Sequence, residues 1–172
     1  MLRQMARCPM NEAEGWQKAL VNESLYLRGR IVASYSQIEF LLADISVKLD
    51  LKFPYLIKDR IKAAKRIGER EQFAVYKREL DNVCDELLEF DEIRNYMSHA
   101  FLTLHVDKVG NHQFEYRMYQ RGADGFVLME GTTTIERLRA AAQHMTEYVE
   151  RAVGLFQRIY EEQKVEKINP RV

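Results

Sequence analysis

An apolar residue recurs at spacings of three, four or seven from about Asn11 to Leu49. The stripe consists of Leu20, Leu27, Ile31, Ile38, Leu41, Ile45 and Leu49. This spacing places the apolar side chains on one face of an α-helix, because a helix completes a turn about every 3.6 residues. The repeat therefore predicts a long amphipathic helix at the start of the fold.

Three further segments carry helical periodicity. They extend from about Leu56 to Ile67, from about Glu69 to His99, and from Thr133 to about Lys164. The last of them begins with a predicted capping box from Thr133 to Glu136. Four amphipathic helices joined by short connections favour an antiparallel helical bundle.

Residues 101–131, between the third and fourth helices, differ in composition from the rest of the chain. They are rich in Val, Phe, Tyr, Leu and Thr, and they contain turn signals at 109–111 and 122–125. This pattern predicts a small β-hairpin insert of two or three short antiparallel strands. With residues 1–10 as a loose N-terminus, residues 1–172 are expected to form a single mainly α domain, an antiparallel bundle with this insert.

Composition limits the function classes that fit the chain. Its 26 basic and 26 acidic residues balance, so any contact with RNA must be local, because proteins that coat nucleic acid are usually basic. Cys84 lies within a helical pattern and is expected to be a buried hydrophobe rather than half of a disulfide with Cys8. No signal-peptide core or membrane span of about 20 residues is evident. We therefore expect a cytoplasmic protein that does not contact membranes.

The third helix places a charged residue within its apolar stripe. Val83, Leu87, Phe90, position 94 and Met97 follow one another at spacings of four and three, and position 94 is an arginine. A guanidinium cannot lose its charge, so its burial requires partners. Either a nearby carboxylate makes Arg94 structural, or the stripe opens at this point into a cleft or a subunit interface.

His99 follows Arg94 by five residues, which is about 140° around an ideal helix. The two side chains converge only if they flank a groove near the helix end or if a second subunit completes the site. The same spacing relates Arg139 to His144, where Arg139 shares its face with polar residues. Spacing alone therefore has little specificity, and the position of Arg94 in an apolar stripe is the distinguishing feature.

The segment RNYMSHA, residues 94–100, resembles the signature of the HEPN superfamily, an arginine, a polar residue, three variable positions and a histidine. The resemblance implies a helical bundle that often dimerises and, in many members, is a metal-independent endoribonuclease of defence or toxin–antitoxin systems. Other members only bind. The resemblance implies that Arg94 and His99 are the catalytic pair and that Asn95 assists them. Phe101 stands where one branch has a tyrosine that a partner nucleotidyltransferase modifies, which argues against such a partner.

This chemistry requires no cofactor or metal, and the histidines and cysteines lack metal-ligand spacing. Histidine can accept the proton of a ribose 2′-hydroxyl or donate one to the leaving oxygen, and arginine suits phosphate. One histidine cannot do both in a single step, so a homodimer is expected. The expected function is RNA cleavage that leaves a 2′,3′-cyclic phosphate, with an antitoxin or regulatory partner. The alternatives are an inactive HEPN-like module that binds RNA or protein, and a helical protein in which the motif is incidental.

Other charged residues have two interpretations each. Glu39 interrupts a stripe of the first helix, and it either holds Arg94 or lies on the surface. A second set comprises basic residues that either contact phosphate or belong to solvated surfaces of the second helix and the insert. Its members are Lys58, Lys62, Lys65, Arg66, His105 and Arg117.

Overall fold

The computed structural model describes residues 15–52, 54–106 and 111–165. The predicted loose N-terminus and Cys8 lie outside them. The elements are α1 (Gly15–Lys48), α2 (Ile57–Lys65), two 3-10 segments (Arg66–Glu69 and Glu71–Tyr76), α3 (Lys77–His99), β1 (Phe101–Val106), β2 (His112–Gly122), β3 (Gly125–Thr133) and α4 (Ile135–Glu162). The fold is mainly helical, with four α-helices and a small three-stranded antiparallel sheet, as the sequence predicts at this level.

The third helix begins later than its periodicity indicates. The chain from Arg66 to Tyr76 forms two 3-10 segments, and α-helix begins only at Lys77. The break occurs at Arg70, whose backbone is extended at φ −77° and ψ 137°. Buried Phe73 and Tyr76 are three residues apart, a spacing that suits a 3-10 helix as well as an α-helix. Periodicity could not distinguish the two.

The start of α4 also differs from the prediction. Thr133 is the last residue of β3, and Thr134 is the N-cap, whose hydroxyl accepts a hydrogen bond from the N–H of Arg137 at 3.3 Å. The predicted box from Thr133 to Glu136 is wrong, because Arg137 and not a glutamate is three residues after the cap. A run of three threonines offered three candidate caps, and the ladder between β2 and β3 uses the first two.

Helices α1 and α4 run parallel to each other. Near the beginning of both helices, Arg139 pairs with Glu23 at 2.6 Å, and near their ends the hydroxyl of Tyr160 donates to Asp44 at 2.8 Å. An antiparallel arrangement of every neighbouring pair of helices would not contain this parallel pair. Because α2 has only nine residues, the three long helices are α1, α3 and α4. Their directions alternate along the chain, so the first and the last of them are parallel.

Helix α3 runs antiparallel to α1. Its last turn lies beside Arg28, whereas Asp91, two turns earlier, lies beside Tyr35. The buried core draws residues from all four helices and also includes Phe114 of β2. Cys84 belongs to this core, as predicted, and burial raises the pKa of its thiol to about 12.

The sheet has the strand order β1-β2-β3 and covers the end of α3 with one face. On that face Phe114 is buried, and the ring of Tyr116 lies 4.5 Å from the ring of Tyr96 on α3. The opposite face is open to solvent. It exposes Phe101, Tyr119, Phe126 and Leu128. The sheet therefore attaches beside the segment that contains Arg94 and His99.

Candidate functional site around Arg94 and His99

Arg94 is half-buried and is held mainly by its own helix. Its Nη2 lies 3.2 Å from Oδ1 of Asp91, one turn earlier, and its Nη1 donates to Oδ1 of Asn95 at 3.0 Å. The guanidinium carbon is 4.7 Å from the centre of the Tyr35 ring on α1. A cation above an aromatic face is attracted by the ring's quadrupole. These contacts engage both Nη atoms of the cation that interrupts the apolar stripe.

Asp91 connects Arg94 to the core. Its Oδ1 also accepts a hydrogen bond from the hydroxyl of Tyr35 at 3.0 Å. Burial, followed by the charge of Asp91, raises the pKa of Tyr35, so this hydroxyl stays protonated and remains a donor. Tyr35 is fully buried, and sequence reasoning missed its polar role. The contact between Asp91 and Arg94 could be found from the sequence, because a residue three positions before Arg94 on a helix faces it.

Glu39 does not hold Arg94. Its carboxylate pairs instead with Nη1 of Arg60 on α2 at 3.0 Å, and Nε of Arg60 donates to the carbonyl of Pro54. The residue of α1 that lies level with Arg94 is Tyr35, and Glu39 lies one turn further along, beside α2. The interpretation of Glu39 as the partner of Arg94 is therefore wrong.

The last turn of α3 is fixed by an arginine that sequence reasoning missed. Arg28 of α1 donates to the carbonyl of Met97, from Nη2 at 2.7 Å and Nε at 3.1 Å, and to the carbonyl of Ala100 at 3.1 Å. The final carbonyls of a helix have no partner within the helix, and a cation is favourable there. Partial burial lowers the pKa of Arg28. No sequence pattern singles out this long-range cap.

His99 is exposed and is the last residue of α3. Because α3 continues as regular helix from Arg94 to His99, the spacing keeps the two side chains about 140° apart. The structure brings Arg94 and Asn95 together and leaves His99 on another side of the helix. Ideal helix geometry therefore does not place the predicted pair on one face of α3.

The basic residues predicted on the second helix lie at the surface of α2 and of the 3-10 segment that follows it, and two of them contact carboxylates. Lys62 lies 3.5 Å from Asp59, and Lys65 lies 2.6 Å from Asp85 of α3. Lys58 and Arg66, the other two candidates, are exposed. Pairing of this kind is typical of a solvated helix face and reduces the positive charge offered to phosphate.

The two candidates on the sheet are also paired. Nε2 of His105 lies 3.0 Å from Glu115, and Arg117 contacts Glu115 at 2.8 Å and Glu130 at 2.9 Å. All four side chains point to the solvent-exposed face, because residues that pair across antiparallel strands share a face. The carboxylates thus offset the charge of Arg117 and engage His105, the two residues that were expected to attract RNA.

Arg139 and His144 lie on α4 and have different surroundings from Arg94 and His99. Arg139 is 52% exposed and forms a two-point contact with Glu23. His144 is exposed and lies beside Phe90, with ring centres 4.9 Å apart. The expectation that Arg139 lies on a solvated face is confirmed. The second pair is therefore a matched control for the first.

Comparison with models of protein families, with curated proteins and with solved structures returns no match to this chain. In the ranges that the structure describes, no group of three or more His, Cys, Asp or Glu side chains is placed to hold a metal ion. None of the described helices combines the length and apolar composition needed to cross a membrane.

Proposed function

We propose that this protein is a metal-independent endoribonuclease of HEPN type that acts as a homodimer in defence or stress response. The observation that carries the proposal is the placement of Arg94, a permanent cation in an otherwise buried stripe, in the same helix end as an exposed His99. Nε of Arg94 is buried without a hydrogen-bond partner among the described residues. An unsatisfied N–H costs about 1–3 kcal/mol, and an oxygen of a bound phosphate would supply the missing acceptor.

The proposed reaction follows from these residue types. A histidine accepts the proton of the ribose 2′-hydroxyl, the 2′-oxygen bonds to phosphorus, and the bond from phosphorus to the 5′-oxygen breaks. A second histidine protonates that oxygen, leaving a 2′,3′-cyclic phosphate and a 5′-hydroxyl. Arg94 stabilises the phosphate charge, and Asn95 orients the guanidinium. Each chain supplies one His99, so two chains supply the base and the acid.

The surroundings of His99 support coverage by a second copy. Phe101, two residues after His99, is 71% exposed, and Leu25, one turn from Arg28 on α1, is 57% exposed. Exposed large apolar side chains mark candidate interaction surfaces. The seam would include Phe90 to His99 and would bring each His99 towards the Arg94 of the other chain.

The alternative is an inactive HEPN-like module that binds RNA or protein under the control of a partner such as an antitoxin. The observation that favours it is the engagement of both Nη atoms of Arg94 by Asp91 and Asn95. An arginine whose Nη atoms are both engaged by its own helix can stabilise the fold without binding a phosphate.

Incubation of the purified protein with total RNA in EDTA tests the proposal. Wild-type protein should cut RNA, and the His99→Ala variant should not. Binding without cleavage would favour the alternative, and neither binding nor cleavage would indicate that the motif is incidental.

A further inference from the structure

Strand β3 forms an open edge of the sheet. It spans nine residues at the end of the strand order β1-β2-β3. Gly122 pairs with Gly125 across a two-residue loop, and hydrogen-bonded and non-hydrogen-bonded pairs alternate from that point. Counting along the ladder, the N–H and C=O groups of Phe126, Leu128 and Glu130 face away from β2. An edge of this kind is a template for another strand.

The edge strand is apolar and extends into solvent. Phe126 is 77% exposed and Leu128 is 43% exposed on one face of the sheet, and Val127 is exposed on the other. Natural edge strands are usually protected by lysine, proline or a bulge. Strand β3 contains neither lysine nor proline, and its ladder with β2 is continuous in register. The only charged residue in β3 is Glu130.

The charges around this edge favour a protein occupant over nucleic acid. Glu130 contacts Arg117, and Glu115 contacts both Arg117 and His105. Nucleic-acid affinity depends on unpaired cations that replace counterions, and here the nearby cations are offset by carboxylates. An apolar strand that contributes backbone hydrogen bonds fits the edge better.

We propose that β3 pairs antiparallel with β3 of a second copy, with Leu128 opposite Leu128. This register places Phe126 opposite Glu130 of the other copy. The N–H and C=O groups of Phe126, Leu128 and Glu130 point away from β2, so they can bond to the second copy. Within one chain, Tyr119 of β2 pairs with Leu128 of β3. The proposed register therefore forms a row of four side chains across the two sheets: Tyr119 and Leu128 of one copy, followed by Leu128 and Tyr119 of the other. On the other face it sets Val127 against Met129. No like charges meet, so the strand is complementary to itself about a two-fold axis.

This contact is independent of the seam proposed at Arg94 and His99. A chain that uses both surfaces would form assemblies larger than a dimer. The arrangement of the second contact would be β-augmentation, in which main-chain hydrogen bonds supply affinity and side chains set the register.

Two measurements test the edge pairing. Light scattering should show that Leu128→Lys reduces the largest species formed by the wild type to the seam dimer, while Tyr119→Lys does not. Tyr119 is an exposed residue on the same face but lies on the central strand. Circular dichroism confirms that both variants fold. RNA cleavage by Leu128→Lys should remain, because the residue lies outside the proposed site.

Cross-linking tests the register. In a Cys8→Ser background, Leu128→Cys should be linked efficiently by a short bismaleimide, since opposed Cα atoms in a hydrogen-bonded pair are about 5.5 Å apart. Tyr119→Cys should be linked poorly, since three strand spacings separate the two positions by about 14 Å. Equal mass for wild type and Leu128→Lys, or equal linking at both positions, overturns the proposal. A wild-type dimer that Leu128→Lys converts to a monomer would support the edge and contradict the seam.

Discussion

The hydroxyl of Tyr35 on α1 donates a hydrogen bond to the carboxylate of Asp91 on α3 at 3.0 Å, and that carboxylate also pairs with Arg94. The contact joins two helices at the level of the candidate site. It fixes the carboxylate between a neutral donor and a permanent cation. The orientation of Arg94 therefore depends on a residue distant in the sequence.

Tyr35→Phe should reduce RNA cleavage because Asp91 loses the donor that orients it. The same change should lower the free energy of unfolding by about 0.5–1.5 kcal/mol, the usual contribution of one hydrogen bond. The matched control is Tyr160→Phe, which removes the hydroxyl that donates to Asp44 at 2.8 Å. The control should lose similar stability in urea unfolding and keep full cleavage. Equal cleavage by both variants would show that Tyr35 does not position Arg94.

Gly131→Ala should destabilise the sheet. A Cβ atom at Gly131 would lie 2.2 Å from the hydroxyl oxygen of Tyr116, whose ring also contacts Tyr96 of α3. The ring must move, and forced repacking typically costs about 1–3 kcal/mol. Thermal unfolding should show a lower Tm.

Gly154→Ala is the control for that substitution. Gly154 lies within α4, and a Cβ there would have no neighbour within 4 Å. The change should stabilise the protein by about 0.5–1 kcal/mol, because alanine loses less backbone entropy than glycine in a helix. A Tm that rises for both variants would contradict the close approach of Tyr116 to Gly131.

The thiol of Cys84 should resist alkylation in the folded protein at pH 8. Burial raises its pKa from 9.0 to about 12, and only the thiolate reacts. As pH rises through 9, the unfolded chain loses this proton while the folded chain retains it. The contribution of Cys84 to stability is therefore fully present below pH 9 and decreases between pH 9 and 12. Mass spectrometry after iodoacetamide treatment, with and without urea, measures the protection. Fast labelling without urea would contradict the burial.

Periodicity predicted the fold class because the buried stripes of α1, α3 and α4 are long. Residues such as Ile38, Leu87 and Met145 have no exposed surface, and burial on this scale determines where helices form. The 3-10 segments before Lys77 could not be predicted, because their apolar spacing suits either helix type. The cap at Thr134 depended on where the neighbouring strand ends, which is a tertiary property.

The site was predictable only where the relevant contacts are local. The position of Arg94 in an apolar stripe indicated a half-buried cation, and the carboxylate of Asp91 lies within one turn of it. The roles of Arg28 and Tyr35 depend on contacts between α1 and α3, and no spacing in the sequence encodes them. The same limit applies to Glu39, because its partner Arg60 lies on α2 and the contact depends on how α2 packs against α1.

The seam around Phe90 to His99 should join two chains about a two-fold axis at micromolar concentration. The reason is chemical as well as structural, because each chain supplies one candidate histidine and keeps it away from Arg94. Leu25→Lys adds a charge to an exposed apolar position one turn from Arg28, which binds the last turn of α3, so it should lower the mass of the assembly by breaking the seam, and it should abolish cleavage. Lys18→Glu, at an exposed position nearer the start of α1, is the control and should change neither property. A wild-type monomer in light scattering would contradict both the seam and the shared site.

Arg94→Ala and His99→Ala should each reduce RNA cleavage by about 10²–10⁴-fold, the usual contribution of proton transfer or of one charge-stabilising group. Arg139→Ala and His144→Ala should leave cleavage unchanged. The two pairs have the same spacing, so a difference must come from location: Arg94 is half-buried above Tyr35, whereas Arg139 is on a solvated face. Products should carry 2′,3′-cyclic phosphates in the presence of EDTA, and DNA should remain intact because it lacks the 2′-hydroxyl. Cleavage only after addition of a divalent metal would refute the mechanism, and equal loss in both pairs would refute the site.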